Sequence, residues 1–205
     1  MKKLLSFFSA CLALVLLSNF VAGPTGYQVG DKAADFKLKN VDGKMVSLAD
    51  NKATKGYIVV FTCNTCPFSQ AYESRIIALH QKYAPKGYPV VAINPNDATA
   101  VPEESFGDMK ARAASQKFPF PYLHDETQQV AKTYGATRTP HLYIVTKKGA
   151  DFIVSYIGAI DDNSEDASQV KTKYAEQAMT DILAGKPAAT SSTKAIGCTI
   201  KWKKA

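Results

Sequence analysis

The chain has 205 residues, 46% of them hydrophobic and 21% charged, with ten Tyr, ten Phe and a formal net charge of +7. That length gives room for one domain of ordinary size with a full apolar core, and that composition excludes a disordered, fibrous or repeat-built chain. Much of the modest basic excess sits in Lys194, Lys201, Lys203 and Lys204, which reads as a solvated tail, so no nucleic-acid partner is expected.

Met1, Lys2 and Lys3 precede an apolar stretch over residues 4–17 and then small residues up to Gly23, the three regions of a secretory signal. The stretch falls short of the roughly 20 residues that span a bilayer, so no stable membrane span is expected once residues 1–23 are removed. The mature protein is then exported, periplasmic or otherwise extracytoplasmic. It carries +5, because residues 1–23 take Lys2 and Lys3 away and no acid. Of the four cysteines, Cys11 leaves with the signal, while Cys63, Cys66 and Cys198 remain. An odd number leaves one thiol unpaired in an oxidising compartment.

Residues 27–34 read as a loop. Alternating runs at 35–39 and 44–48 around an Asp42-Gly43 turn predict a β-hairpin. Residues 57–61 are continuously apolar and rich in β-branched side chains, as in a central strand buried on both faces, and lead into Cys63. Phe68, Tyr72, Ile76, Leu79 and Tyr83 recur at three- and four-residue intervals, which predicts one amphipathic helix from Cys66 to just before Pro85. A second buried strand at 89–93, a helix at about 102–116 and a short segment at Tyr122 and Leu123 follow. Asp125 is a plausible cap for a helix over 126–134 that stops at Gly135. Arg138-Thr139-Pro140 opens a strand at 141–146, a Lys147-Lys148-Gly149 turn joins it to a strand at 152–156, and a last helix is expected at about 164–183.

Strand-helix-strand units with a terminal hairpin predict an α/β fold: a mixed central sheet, parallel at its core and antiparallel at its edge, flanked by helices. The expected domain covers residues 24–185. Residues 186–205 begin as a linker and regain apolar character around Cys198, with Ile196, Ile200 and Trp202, as suits a tail that docks back.

Cys63-Asn64-Thr65-Cys66 carries the chemistry. The spacing puts two sulfurs on one turn within disulfide range, and a helix N-terminus offers unpaired N–H groups and partial positive charge that favour a thiolate. Cys63 is the expected nucleophile and Cys66 the resolving thiol. A fall in thiol pKa from about 8.5 to about 7 raises the thiolate fraction roughly sixteen-fold, and reduced nucleophilicity returns about four- to six-fold of it. The larger advantage is a resolving thiol held beside the mixed disulfide. Pro140, if cis, lets Thr139 present backbone groups to an extended substrate by strand addition; an ordinary trans proline is the bland alternative, since only about 5 to 6% of X-Pro bonds are cis.

Against redox chemistry stands zinc. His80 lies thirteen residues beyond Cys66, but Ala84 stands where a second histidine is needed, so no metal is expected. A purely structural disulfide is the other alternative, though so short a loop constrains little. Cys198 reads equally as a third redox thiol exchanging with Cys63 or as a buried small residue, and an exported free thiol tips it toward chemistry.

The residues at 30–38, the Asp42-Gly43-Lys44 turn and Val46-Ser47-Leu48, together with the cysteine pair and Thr139-Pro140, resemble the redoxin branch of the thioredoxin superfamily, the alkyl hydroperoxide reductase and thiol-specific antioxidant family. The resemblance implies a thioredoxin-like fold with the active pair at the first helix and a cis-proline opposite. It also implies protein thiols and disulfides as substrates, a redox partner that resets the pair, and no cofactor. Three departures matter. The peroxidase members' threonine, three residues before the attacking cysteine, is Val60 relative to Cys63 and Cys63 itself relative to Cys66, which makes thiol peroxidase the alternative activity. The buried acid six residues before the first cysteine of thioredoxins is Tyr57 here, leaving Glu73 or a water to move protons. Asn64-Thr65 matches neither strong reductants nor strong oxidants, so the direction of electron flow stays open.

Overall fold

Six consecutive buried residues, Gly56–Phe61, form the strand at the centre of the molecule. In the computed structural model, residues 26–204 are described; the expected signal at residues 1–23 lies outside them. In chain order the elements are β1 (Lys32–Ala33), β2 (Lys37–Asn40), β3 (Met45–Ser47), β4 (Gly56–Phe61), α1 (Pro67–Tyr83), β5 (Val90–Asn94), α2 (Phe106–Ser115), β6 (Tyr122–His124), α3 (Gln129–Tyr134), β7 (Arg138–Thr139), β8 (His141–Lys148), β9 (Asp151–Gly158), α4 (Tyr174–Leu183) and β10 (Cys198–Thr199).

Eight strands form one mixed sheet in the order β1-β9-β8-β4-β5-β6-β2-β3, and β10 pairs with β7 in a separate two-stranded ribbon. β4, β5 and β6 run parallel, while β8 lies antiparallel to β4. The expected hairpin is β2 and β3, and it joins the sheet antiparallel through β6.

Alternation along β4 divides the core into two layers. Ile58 and Val60 face a cluster holding Tyr72, Ile76 and Leu79 of α1, Met109 of α2, and Ala175, Ala178 and Met179 of α4. Tyr57, Val59 and Phe61 face the other way, onto Ala131 and Tyr134 of α3, Phe36, Leu48 and Ile200. Each fully buried Val, Ile or Leu contributes about 1.5–3 kcal/mol relative to exposure. Among the described residues no helix is long and apolar enough to cross a membrane.

Several elements differ from the sequence expectation for local reasons. The loop at 27–34 contains β1, which pairs with β9 as an edge strand. The helix expected from residue 164 begins only at Tyr174. Asn163 and Asp166 side chains accept from the backbone N–H groups of Glu165, Asp166 and Ser168, and these local turns compete with a helix. Asp125 does accept from the N–H groups of Val130 and Ala131, but Gln128 at φ +62 delays the helix to Gln129.

Candidate redox site

The cysteine loop leaves the end of β4 through Thr62, whose N–H donates to the Ile93 carbonyl at 2.8 Å and carries the sheet pairing to within one residue of Cys63. The helix then begins at Pro67, a residue suited to the first helical position because its missing N–H has no partner to lose there. Cys66 is the helix cap.

Glu104 holds the two residues between the cysteines. It is fully buried, and its carboxylate accepts from the Asn64 N–H (2.8 Å), the Thr65 N–H (3.0 Å), the Thr65 hydroxyl (2.6 Å) and the Asn94 side-chain amide (2.8 Å). Asn64 is anchored further, donating to the Glu103 carbonyl and accepting from the Tyr122 hydroxyl, both at 2.9 Å. Sequence reasoning missed Glu104, because nothing in Pro102-Glu103-Glu104, at the start of the helix expected at about 102–116, distinguishes it from a surface acid. It lies instead in a 3₁₀ turn that turns its side chain inward.

Both sulfurs meet at Thr139. Cys63 Sγ lies 3.1 Å from the Thr139 hydroxyl and 3.6 Å from the Ser69 hydroxyl, while Cys66 Sγ donates to the Thr139 carbonyl at 3.2 Å. The Thr139–Pro140 bond is cis. The two cysteines are 3% and 4% exposed, so neither is open to a partner in this arrangement. All three cysteines stand as thiols.

Cys198 belongs to the same cluster. β10 runs antiparallel to β7 with Cys198 opposite Thr139. The thiol interacts with Cys66, and it is partly exposed.

Interaction with Cys63 lowers the Cys66 thiol most, and the Cys198 thiol and the backbone N–H groups of Ser69 and Cys198 lower it further. Its partner Cys63 is pushed far up by that same interaction, by burial and by the negative charge of Glu104. The helix begins after Cys66, so the first-turn N–H of Ser69 serves Cys66.

The remaining candidates are occupied. Glu73 is paired with Arg112 through two hydrogen bonds of 2.7 and 2.9 Å. Tyr57 donates to the Leu48 carbonyl at 2.8 Å. His80 Nδ1 accepts from the Val90 N–H at 3.2 Å and its ring packs on Phe120.

The AhpC/TSA family matches residues 29–157. The thiol-disulfide oxidoreductase ResA of Bacillus thuringiensis is 26% identical over 149 residues, covering 71% of this chain and 80% of its own. The crystal structure of an uncharacterized conserved protein from Geobacillus kaustophilus is 39% identical, covers 87% of this chain and 94% of that one, and superposes with a TM-score of 0.79. An exposed lipoprotein thioredoxin from Streptococcus pneumoniae, 22% identical over 66% of this chain and 96% of that one at a TM-score of 0.52, shares the fold. With 129 residues matched in one continuous stretch, the chain belongs to the AhpC/TSA family, in the redoxin branch of the thioredoxin superfamily, and its general class is that of a thioredoxin-like thiol-disulfide oxidoreductase.

Proposed function

We propose that this protein exchanges disulfides with protein thiols outside the cytoplasm through Cys63 and Cys66. The observation that carries the reading is the convergence of both sulfurs on Thr139, at 3.1 and 3.2 Å, beside the cis peptide bond. One residue thereby fixes the pair and offers a strand edge to an extended substrate.

In the exchange, Cys63 Sγ attacks one sulfur of a target disulfide and expels the other as a thiolate; Cys66 then attacks Cys63 Sγ and releases the reduced target, leaving Cys63–Cys66 oxidised. Cys63 must lose its proton first. The run in reverse oxidises the target. A separate reductant or oxidant resets the pair. Export rests on the sequence of residues 1–23.

The test is the reduction potential of the mature chain in glutathione buffers, with Cys63, Cys66 and Cys198 scored separately by alkylation and mass spectrometry. A value near about −270 mV assigns a reductase and one near about −120 mV an oxidant. If Cys63 and Cys66 never interconvert as a pair, the reading fails; consumption of hydrogen peroxide at a rate matching disulfide exchange would favour a thiol peroxidase instead.

A further inference from the structure

The exchange just described leaves residues 186–205 without a role, yet they are fastened over the cysteine pair. Upstream of β10, the Ile157 N–H donates to the Ser191 carbonyl (3.1 Å) and the Thr193 N–H to the Ile157 carbonyl (2.9 Å). Downstream, the Lys201 N–H donates to Asn96 Oδ1 (2.9 Å), the Gln128 amide donates to the Lys201 carbonyl (2.8 Å), and Ile200 is buried.

Between these anchors β10 adds to β7, the edge on which an extended substrate would pair. Arg138 donates to the Gly197 carbonyl at 2.9 Å, and a Cβ on Gly197 would land on the Thr139 carbonyl carbon and oxygen, so only glycine permits this approach. The strand brings a thiol with it, set opposite the residue that holds both active sulfurs.

We propose that Cys198 is a third redox thiol and that its strand acts as an internal substrate, Cys198 attacking Cys66 of the oxidised pair to move the disulfide to Cys66–Cys198. This rests on the Cys63–Cys66 reading above. The Cys66–Cys198 bond forms as the Cys63–Cys66 bond breaks; the electron pair leaves on Cys63 Sγ, which takes up the proton that Cys198 gives up. No net oxidation occurs. An external dithiol then attacks Cys198 Sγ, expels Cys66 as a thiolate, and is itself oxidised as it closes its own disulfide and frees Cys198.

Access explains the relay. Cys63 and Cys66 are 3% and 4% exposed, whereas Cys198 is partly exposed and is the sulfur a reductant meets first. In the dithiol form, burial and the neighbouring Cys66 hold the Cys198 thiol up at about 11. Once Cys66 is in a disulfide its contribution disappears, so the Cys198 thiol falls, with burial still raising it and Lys201 and Arg138 lowering it.

The purified chain is oxidised with diamide, its remaining thiols are alkylated, and it is mapped by peptide mass without reduction. The expected result is a Cys66–Cys198 bridged peptide beside Cys63–Cys66 in the unmodified protein, and Cys66–Cys198 within single molecules as the main product in Cys63→Ser. Cys66 and Cys198 both remaining alkylatable in Cys63→Ser, or bridging only between molecules, overturns the proposal. Should Cys63→Ser fold poorly, graded glutathione ratios on the unmodified protein decide: absence of the Cys66–Cys198 peptide at every ratio overturns it equally. Cys198→Ser separates the two readings, since it keeps the Cys63–Cys66 bond if only the relay is wrong and cannot form it if the pair itself is misassigned.

Discussion

The carboxylate of Glu104 accepts from the backbone N–H groups of both Asn64 (2.8 Å) and Thr65 (3.0 Å), so a buried acid from the segment after β5 holds the two residues that separate the active cysteines. Two further donors, the Thr65 hydroxyl and the Asn94 amide, complete its shell. A buried charge is tolerated when its acceptor sites are filled in this way.

Glu104→Gln tests that relationship. A neutral amide offers one acceptor oxygen to four donors, so the expected loss of stability is about 1–3 kcal/mol for the groups left unpaired. Removing the negative charge also takes away one of the causes that raise Cys63, so its thiol shifts downward. Urea unfolding reads the first effect and the pH dependence of Cys63 alkylation the second. Stability that falls with no movement in the Cys63 profile would reduce Glu104 to a packing role.

Gly197→Ala is expected to detach β10. The added methyl meets backbone atoms of Thr139 and Pro140, which cannot swing aside like a flexible side chain. Alkylation of Cys66 in the folded, reduced protein should then quicken while global stability changes little, because the anchors at Ser191, Thr193 and Lys201 remain. Unchanged alkylation of Cys63 and Cys66 would show that the tail does not cover them.

All three histidines are held below their usual pKa by burial, His141 most strongly, at about 4. Between the unfolded value of about 6.5 and the folded value, the unfolded chain binds the proton and the folded chain does not. Stability is therefore full above about pH 6.5 and is lost as pH falls toward 4. For His141 alone the loss between pH 7 and pH 5 is about 2 kcal/mol. Denaturant titrations of the unmodified protein and His141→Gln at both pH values check this; an equal pH slope in both proteins would rule out His141 as the source.

Asp161 ties α1 to the segment after β9. It is 3% exposed, and it accepts from Arg75 Nη1 at 2.7 and 2.8 Å and from the Tyr72 hydroxyl at 2.7 Å. Arg75 Nη1 also donates to the Asn163 carbonyl at 2.5 Å, which helps hold that segment in turns rather than in an early start of α4. Asp161→Ala should cost about 3–5 kcal/mol, because the Arg75 charge is left without its partner. A loss under about 1 kcal/mol in urea unfolding would mean that water replaces the carboxylate.

The sequence by itself determined the sheet core, the first helix and the cysteine pair. A run such as Tyr57-Ile58-Val59-Val60-Phe61 cannot be satisfied except by burial on both faces, and the spacing of Tyr72, Ile76, Leu79 and Tyr83 has one helical solution. Hairpin and turn signals worked for the same reason, since they depend on neighbours in the chain. What only the tertiary structure decided are contacts between distant segments. Glu104 reaches Thr65 across 39 positions and Cys198 lies opposite Thr139 across a longer gap, and neither residue carries a local pattern that distinguishes it from a surface acid or a spare cysteine. Local periodicity specifies which face of an element is buried; it does not specify which polar group waits there, and the charge balance between Cys63 and Cys66 is set by those groups.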